Sequence, residues 1–136
     1  RAILGAVAAY YDADAVPSPA TAVIAWGRGG AFPENRLYWS DYVENGRDAG
    51  RAHLFVGTLP TIPLCEAAIA LNLNGPGYYL DCPPETLREE IAQVLSDPAL
   101  DGILLLMYSC VKMSVFYLVR GMASPADGKT LEGAAE

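Results

Sequence analysis

Three continuous apolar runs, separated by segments with helical periodicity, most constrain what this chain can fold into. They are TAVIAWG at 21–27, GYYLD at 77–81 and DGILLLMYS at 101–109. Runs of this length without polar alternation are typical of strands buried on both faces of a sheet. A fourth run, SVFYLVRG at 114–121, follows closely enough to form an antiparallel hairpin with the third. The pattern predicts a layered α/β fold with helices on a mainly parallel sheet and an antiparallel edge strand.

Helical segments are predicted between these runs. The clearest is PPETLREEIAQVLSDP at 83–98, with proline at its start, an acidic first turn and one apolar stripe. Further helices are expected at 1–13, 34–46 and 65–75, with a brief extended piece at Leu54–Val56. The 65–75 helix is rich in alanine and has few polar residues, so we expect it to be buried on most sides.

The last residues of the chain differ from the rest because their apolar content is low. We predict a single α/β domain over residues 1–121 and a flexible C-terminal tail over 122–136. No internal repeat and no low-complexity segment divides the domain further.

The charge balance excludes several classes of function. The formal net charge is -7, with nine Lys and Arg against sixteen Asp and Glu, and no basic cluster. Phosphate backbones and anionic membrane surfaces select for Lys and Arg, so we expect no nucleic-acid partner and no binding to such surfaces. The apolar run at 102–119 is interrupted by Lys112 and is short for a membrane span, so we predict none. Hydrophobic residues make up 52% of the chain, and we expect some of them to lie at an interface with a partner.

The cysteines and the single histidine limit the chemistry. Cys65, Cys82 and Cys110 are widely spaced and lie in apolar surroundings, which is neither a disulfide framework nor a zinc pattern. One histidine, His53, cannot form a His-rich metal site, and we predict no cofactor. Reduced thiols of this kind favour a cytoplasmic location.

One long stretch resembles a known family. Residues 59–109, LPTIPLCEAAIALNLNGPGYYLDCPPETLREEIAQVLSDPALDGILLLMYS, resemble the N-terminal half of β-ketoacyl synthases, which have the thiolase fold. In that family a helix ends at a Gly-Pro pair, here Gly75-Pro76, and a strand leads to a nucleophilic cysteine at the head of a long buried helix. An aspartate-containing turn and a hydrophobic strand follow, here Asp101-Gly102 and Ile103–Met107. Residues 21–43 are similar to an earlier strand, its glycine and the next helix. The resemblance implies a thiolase-like half-domain that pairs with itself or with a complementary ketosynthase-like chain, and an acyl carrier protein as a potential partner.

The sequence departs from this family at the catalytic positions. An ungapped alignment on the Gly-Pro pair puts Pro84, not Cys82, at the nucleophile position. Pro83, Pro84 and Glu85 stand where the family has small residues that allow a sharp turn. The family's two catalytic histidines, or a histidine and an asparagine, come from a C-terminal half that these 136 residues do not contain, and His53 lies in the wrong region to replace them.

Cys82 has two interpretations. In the functional one, the following helix stabilises its thiolate, which attacks a thioester and holds an acyl group. In the structural one, it is an ordinary buried thiol at a strand end, as cysteine is often buried. No histidine is supplied to assist the chemistry, and the neighbouring Asp81 disfavours a thiolate. We therefore favour the structural interpretation.

Four further residues are candidates for a pocket or interface: Glu66, Gly75, Pro76 and Tyr78. Glu66 lies on a nearly all-apolar helix, so we expect it to be paired, neutral or at an interface, with Arg28, Arg51 or Arg120 as potential partners. The GRGG segment at 27–30 follows a strand but completes no phosphate-binding motif, so we interpret it as a flexible turn.

Together these features give one expected function and two alternatives. We expect a non-catalytic β-ketoacyl synthase-like subunit or accessory protein of fatty-acid or polyketide-type biosynthesis, acting through a dimer or partner interface. The first alternative is a split condensing enzyme or acyltransferase that uses Cys82 with histidines from a partner chain. The second is a small-ligand binding module in which Tyr38, Tyr42 and Tyr78 wall an apolar cavity.

Overall fold

The computed structural model describes residues 17–108, 113–119 and 130–132. The helix predicted at 1–13, the turn near Lys112 and the residues Cys110 and Arg120 lie outside this part of the chain. In chain order, the described elements are β1 (Thr21–Trp26), α1 (Phe32–Asn45), α2 (Ala52–Gly57), α3 (Ile62–Leu71), β2 (Gly77–Leu80), α4 (Pro84–Leu95), β3 (Gly102–Tyr108), β4 (Met113–Val119) and β5 (Thr130–Glu132).

A single sheet with strand order β2-β1-β3-β4-β5 organises the described residues. In its interior β1 pairs with two strands: Val23 is in register with Gly77 of β2 and with Leu104 of β3, both parallel. β4 runs antiparallel to β3. The predicted α/β class and the mostly parallel sheet are therefore confirmed, and four of the predicted strands lie where the apolar runs placed them.

The antiparallel edge differs from the prediction. β4 is not the outermost strand, because β5 pairs antiparallel with it and brings Leu131 into register with Val115. β5 is formed by three residues of the segment predicted as a flexible tail. The backbone N–H and C=O groups on the outer side of an apolar strand such as β4 require hydrogen-bond partners. A segment with few apolar residues can supply these partners from its own backbone.

Helices α3 and α4 cover opposite faces of this sheet. Successive residues of a strand point to opposite faces, so β1 and β3 contribute to two separate cores. The α3 side contains Val23, Ala25, Leu64, Ala67, Leu71, Leu73, Leu104, Leu106 and Val115. The α4 side contains Ala22, Ile24, Leu87, Ile91, Leu100, Ile103, Leu105 and Leu118. The result is a three-layer arrangement with the most buried strands in the middle.

α2 is a short helix where the sequence predicted an extended piece at Leu54–Val56. The carbonyl of Arg51 accepts the amides of Leu54 and Phe55, both at 3.0 Å. The ring of Phe55 then packs edge-on against that of Tyr38 in α1, with ring centroids 6.1 Å apart. Apolar and aromatic residues favour strands only where a sheet surface is available to pack on, and here the segment packs against α1 instead.

α3 is shifted and less buried than predicted. It begins at Ile62 and ends at Leu71, because Asn72 takes a left-handed conformation with φ of 53°. Its buried residues are Leu64, Ala67 and Leu71, whereas Ile69 is 81% exposed. The expectation of burial on most sides is therefore wrong, since one face packs on the sheet and the opposite apolar face is open.

α1 and α2 form an arm, residues 32–59, that packs mainly on itself. None of the residues of α1 is buried. Seven large apolar side chains of the arm are 41–66% exposed: Phe32, Leu37, Trp39, Val43, Phe55, Val56 and Leu59. Its one buried side chain is the cation Arg51, 7% exposed, near the start of α2. Within the described ranges, no helix combines the length and apolar character needed to cross a bilayer.

Candidate functional site

The carboxyl ends of β1 and β2 bring the main sequence candidates together. The two strands are parallel neighbours, with Trp26 in register with Leu80, so the GRGG segment and the Asp81-Cys82 pair follow at the same edge of the sheet. In open α/β sheets, ligands bind at the carboxyl ends of the strands. This edge is therefore the candidate site.

Hydrogen bonds and an ion pair tie the two strand ends to each other. The Nε of Arg28 lies 3.3 Å from Oδ1 of Asp81, and the amide of Gly29 donates to Oδ2 of Asp81 at 3.1 Å. The hydroxyl of Tyr79 donates to the carbonyl of Gly27 at 2.7 Å. Arg28 and Asp81 are both well exposed, so the ion pair itself contributes little to stability.

These contacts occupy the groups that a phosphate would need. Gly29 and Gly30 have positive φ values of 87° and 56°, as a tight glycine turn requires. The amide of Gly29, however, is already directed at the carboxylate of Asp81. A carboxylate at this position repels an anion, so the interpretation of the segment as a turn fits better than a phosphate cradle.

Cys82 lies two residues after the end of β2 and is half-buried. Its side chain packs against the apolar cluster under α4, and its carbonyl accepts the indole N–H of Trp26 at 2.9 Å. The single histidine, His53, is exposed on α2 and close enough to Asp41 to influence its charge, so it belongs to the arm rather than to this edge. The surroundings of Cys82 therefore resemble those of a packed structural thiol.

The start of α4 gives the thiol little electrostatic assistance. Pro83 and Pro84 form the N-cap and first helical position, and neither has a backbone N–H to direct at an anion. Glu85 adds a carboxylate to the first turn, where it already complements the helix dipole. Beyond this turn, Arg88 and Glu89 are exposed on the outer surface of α4. The helix is thus amphipathic, with Leu87 and Ile91 on its buried face, and differs from the long buried helix that the resemblance implies.

Gly75 and Pro76 have a packing role at the other end of β2. A Cβ atom added to Gly75 would lie 2.3 Å from the carbonyl oxygen of Thr21, so only glycine fits against β1 here. The carbonyl of Pro76 accepts the amide of Val23 at 2.9 Å and begins the β1–β2 pairing. Both residues therefore position the strand that leads to Cys82.

Tyr78 lines a groove at the side of the sheet. The groove, of about 230 Å³, lies between β2 and α4 and includes Leu80, Val94 and Leu100. Tyr38 and Tyr42 are elsewhere, packed around Arg51 in the arm at 6.0 and 5.3 Å from its guanidinium carbon to the ring centroids. The three tyrosines therefore do not wall one cavity, and that prediction is wrong.

Glu66 and Cys65 are both exposed on the outer face of α3. Two of the expected cationic partners of Glu66 are engaged elsewhere, since Arg28 pairs with Asp81 and Arg51 with Asp41. The apolar sequence around Cys65 predicts a core residue, and this prediction is wrong, because the helix turns the side chain away from the sheet. The periodicity of the sequence could not show whether Cys65 lies on the buried or the exposed face of α3, since both faces of the helix are apolar.

Two side chains in the described residues have clearly shifted ionisation. The hydrogen bond from Arg51, aided by Asn45, holds the pKa of Asp41 below its ordinary value of 3.8, against a smaller opposing effect of burial. Burial and the nearby Asp81 carboxylate raise the pKa of Tyr79 above 10.0. Neither group is arranged as a catalytic acid or base beside Cys82.

The functional feature that the sequence did not reveal is the arm. In the sequence its apolar and aromatic residues are interspersed with charged ones, so the pattern predicts a helix at 34–46 but not the exposure of its apolar side chains. The signal that could have identified it is the weak separation of polar and apolar residues around α1, because a helix packed on a core shows one clear stripe. Comparison of the chain with protein-family models, with curated proteins and with solved structures gave no match.

Proposed function

We propose that this chain is a non-catalytic ketosynthase-like subunit or accessory protein of fatty-acid or polyketide-type biosynthesis, and that it works by binding a partner chain. The observation that carries the binding role is the arm, where seven large apolar side chains remain 41–66% exposed. A concentration of exposed large apolar side chains in one part of a protein is typical of a surface that binds a partner.

The ketosynthase-like part of the proposal rests on the order of elements. A helix, the Gly75-Pro76 turn, the strand β2, Cys82 and the helix α4 follow one another as the resemblance requires. The parallel neighbours β1 and β3 then complete a sheet with α3 and α4 on its two faces. This support is architectural and comes without a family match.

The non-catalytic part is supported by the packing around Cys82. The thiol lies against an apolar cluster, two prolines follow it, and the charged groups next to it are engaged with each other. A condensing enzyme needs donors that stabilise a developing oxyanion and a base or acid near the thiol. The outer face of α4 is charged. Any further layer of structure that covered this face would have to bury Arg88 and Glu89, which is costly for charged groups.

Acylation of the purified chain tests this proposal. The chain is incubated with acetyl and malonyl thioesters, and intact-mass and peptide-mass spectrometry follow acyl transfer to Cys65, Cys82 and Cys110. We expect slow transfer that does not favour Cys82, and no condensation product. Rapid transfer confined to Cys82, abolished by Cys82→Ser, would instead favour the split-enzyme alternative, in which a partner supplies the histidines.

A further inference from the structure

The groove between β2 and α4 combines an apolar floor with a polar rim. It has a volume of about 230 Å³ and lies beside the strand at one end of the described sheet. Its floor is made of buried or half-buried apolar side chains: Ile24, Leu80, Val94 and Leu100. Its rim is made of Tyr78 from β2 and of three polar residues from α4 and the turn that follows: Glu90, Gln93 and Asp97.

The periods of a strand and of a helix bring these side chains together. Side chains two residues apart lie on the same face of a strand, so Tyr78 and Leu80 are both on the α4 side of β2. Residues three and four apart are neighbours on a helix, so Glu90, Gln93 and Val94 line one flank of α4. The groove is therefore formed between two regular elements of the fold.

The charges of the groove select a cation. Among the described residues that line it, Glu90 and Asp97 carry carboxyl groups and none is Lys, Arg or His. Glu90 is half-buried, and no basic residue of the described ranges forms an ion pair with it. A cation brought to a partly buried carboxylate offsets its loss of hydration through charge-assisted hydrogen bonds. The formal net charge of -7 favours the same kind of partner.

An arginine side chain fits this lining better than a lysine side chain. The planar guanidinium directs five N–H groups at oxygen acceptors and stacks on aromatic rings, whereas an ammonium is a compact point charge. The rim supplies the oxygen atoms of Glu90, Gln93 and Asp97. It also supplies the ring of Tyr78, which is 40% exposed. The apolar floor suits the methylene groups that precede the guanidinium.

We propose that this groove binds an arginine side chain of a partner protein, with the guanidinium held by Glu90 and Asp97. The ring of Tyr78 stacks on the guanidinium, and Leu80 and Val94 contact the methylene groups of the arginine. None of the described lining residues belongs to the arm. The groove is thus a binding site separate from the surface on which the proposed function depends, and it goes beyond that function.

A peptide titration tests this assignment. The ¹⁵N-labelled chain is titrated with acetyl-Val-Arg-Val-amide, and its amide resonances are followed by NMR spectroscopy. We expect shifts at residues 78–80 and 90–97 and a dissociation constant on the order of 1 mM. The same peptide with citrulline, which has the shape of arginine without its charge, should bind roughly tenfold more weakly. The peptide with lysine should have an intermediate dissociation constant.

Variants at the rim have a matched control on the same helix. Glu90→Gln keeps the size of the side chain and removes its charge, so the dissociation constant of the arginine peptide should rise roughly fivefold and that of the citrulline peptide should not. Glu89→Gln makes the same change in net charge at an exposed position outside the lining, and we expect no effect. Tyr78→Leu removes the ring and should reduce the preference for arginine over lysine.

Three results would overturn the inference. One is equal affinity for the arginine and citrulline peptides, and another is equal binding by Glu90→Gln and Glu89→Gln. The third is a set of shifts confined to Asp81 and its neighbours, which would place the arginine at the other edge of the sheet. None of these results bears on whether Cys82 is acylated, so the non-catalytic proposal is judged by a separate measurement.

Discussion

Arg51 lies with its Nε 2.6 Å from Oδ2 of Asp41, and this arginine is almost completely buried in a part of the molecule where the large apolar residues are exposed. Its guanidinium also donates to the carbonyl of Gly46 and lies 5.3 Å from the ring centroid of Tyr42. A single cation thus joins the end of α1, the following loop and the start of α2. The contacts of Arg51 hold the arm together in place of an apolar core, which the arm lacks.

The first prediction concerns the replacement of this cation. Arg51→Lys keeps the charge but loses the planar guanidinium, so the contacts to Asp41, Gly46 and Tyr42 cannot all be made together. We expect the melting temperature to fall by on the order of 5 °C. Differential scanning calorimetry measures it, with Arg88→Lys on the exposed side of α4 as the control. An equal melting temperature in the two variants would contradict the role of Arg51.

Acidification should weaken the same contact. Because Arg51 lowers the pKa of folded Asp41 below the unfolded value of 3.8, the stabilising contribution is complete above the unfolded pKa and is lost as the pH falls through the folded pKa. Urea unfolding at about pH 6 and about pH 3, followed by tryptophan fluorescence, compares the chain with Asp41→Asn. We expect acidification to reduce the free energy of unfolding more in the unmodified chain than in the variant. Equal losses would show that this carboxylate does not contribute.

The strands and α4 could be predicted because the pattern of apolar residues in each segment agrees with the burial of those residues in the folded structure. The run from Thr21 to Trp26 is apolar and becomes a buried interior strand, and α4 has one stripe that packs at Leu87 and Ile91. α2 and the outer face of α3 could not be predicted, because their environment is set by packing between elements. Ile69 is apolar yet 81% exposed, and nothing in a single sequence says which apolar face meets the sheet.

The candidate site was predicted in position but not in detail. The sequence placed Cys82 after a strand and before a helix, as found. It could not show that Asp81 would be held by Arg28 and by the amide of Gly29, since these are contacts across 52 or more residues of chain. Such contacts depend on the parallel pairing of β1 with β2. The apolar runs predict a mainly parallel sheet but do not say which strands are neighbours.

Gly75 gives a prediction about close packing. Gly75→Ala would place a Cβ 2.3 Å from the carbonyl oxygen of Thr21 and 2.8 Å from the amide nitrogen of Ala22, both backbone atoms of the interior strand β1. We expect a loss of about 1–3 kcal/mol or more in the free energy of unfolding, measured by urea denaturation. Gly50→Ala is the control, since a Cβ there meets nothing within 4 Å. If the free energy of unfolding fell no further in Gly75→Ala than in Gly50→Ala, β1 and the turn at Gly75 could move apart at little cost.

Thr21 gives a prediction of the opposite sign. Its side chain is fully buried, and its hydroxyl oxygen has no hydrogen-bond partner among the residues that the structure describes. Thr21→Val keeps the shape and removes the polar atom, so we expect a gain of about 1 kcal/mol in the free energy of unfolding.

The matched variant for Thr21→Val is Thr58→Val. The hydroxyl of Thr58 donates to the carbonyl of Phe55 at 2.7 Å, so the same chemical change should there be neutral or destabilising. A loss of stability in Thr21→Val would reveal a partner for the hydroxyl, such as a bound water molecule. Hydrogen exchange at the amides of β1 would locate the change.

The last prediction concerns the order in which two cysteines react. Their exposure predicts one order, whereas a catalytic role for Cys82 would predict the opposite order. Cys65 is exposed on α3, whereas Cys82 is half-buried against the α4-side cluster. Alkylation requires access and a thiolate, so iodoacetamide should modify Cys65 before Cys82 in the native chain. Peptide mass spectrometry at several times resolves the individual sites, and the unfolded chain in urea provides the reference rates. If Cys82 were modified first and faster than in urea, its thiol would be activated by the fold, and the non-catalytic proposal would have to be abandoned.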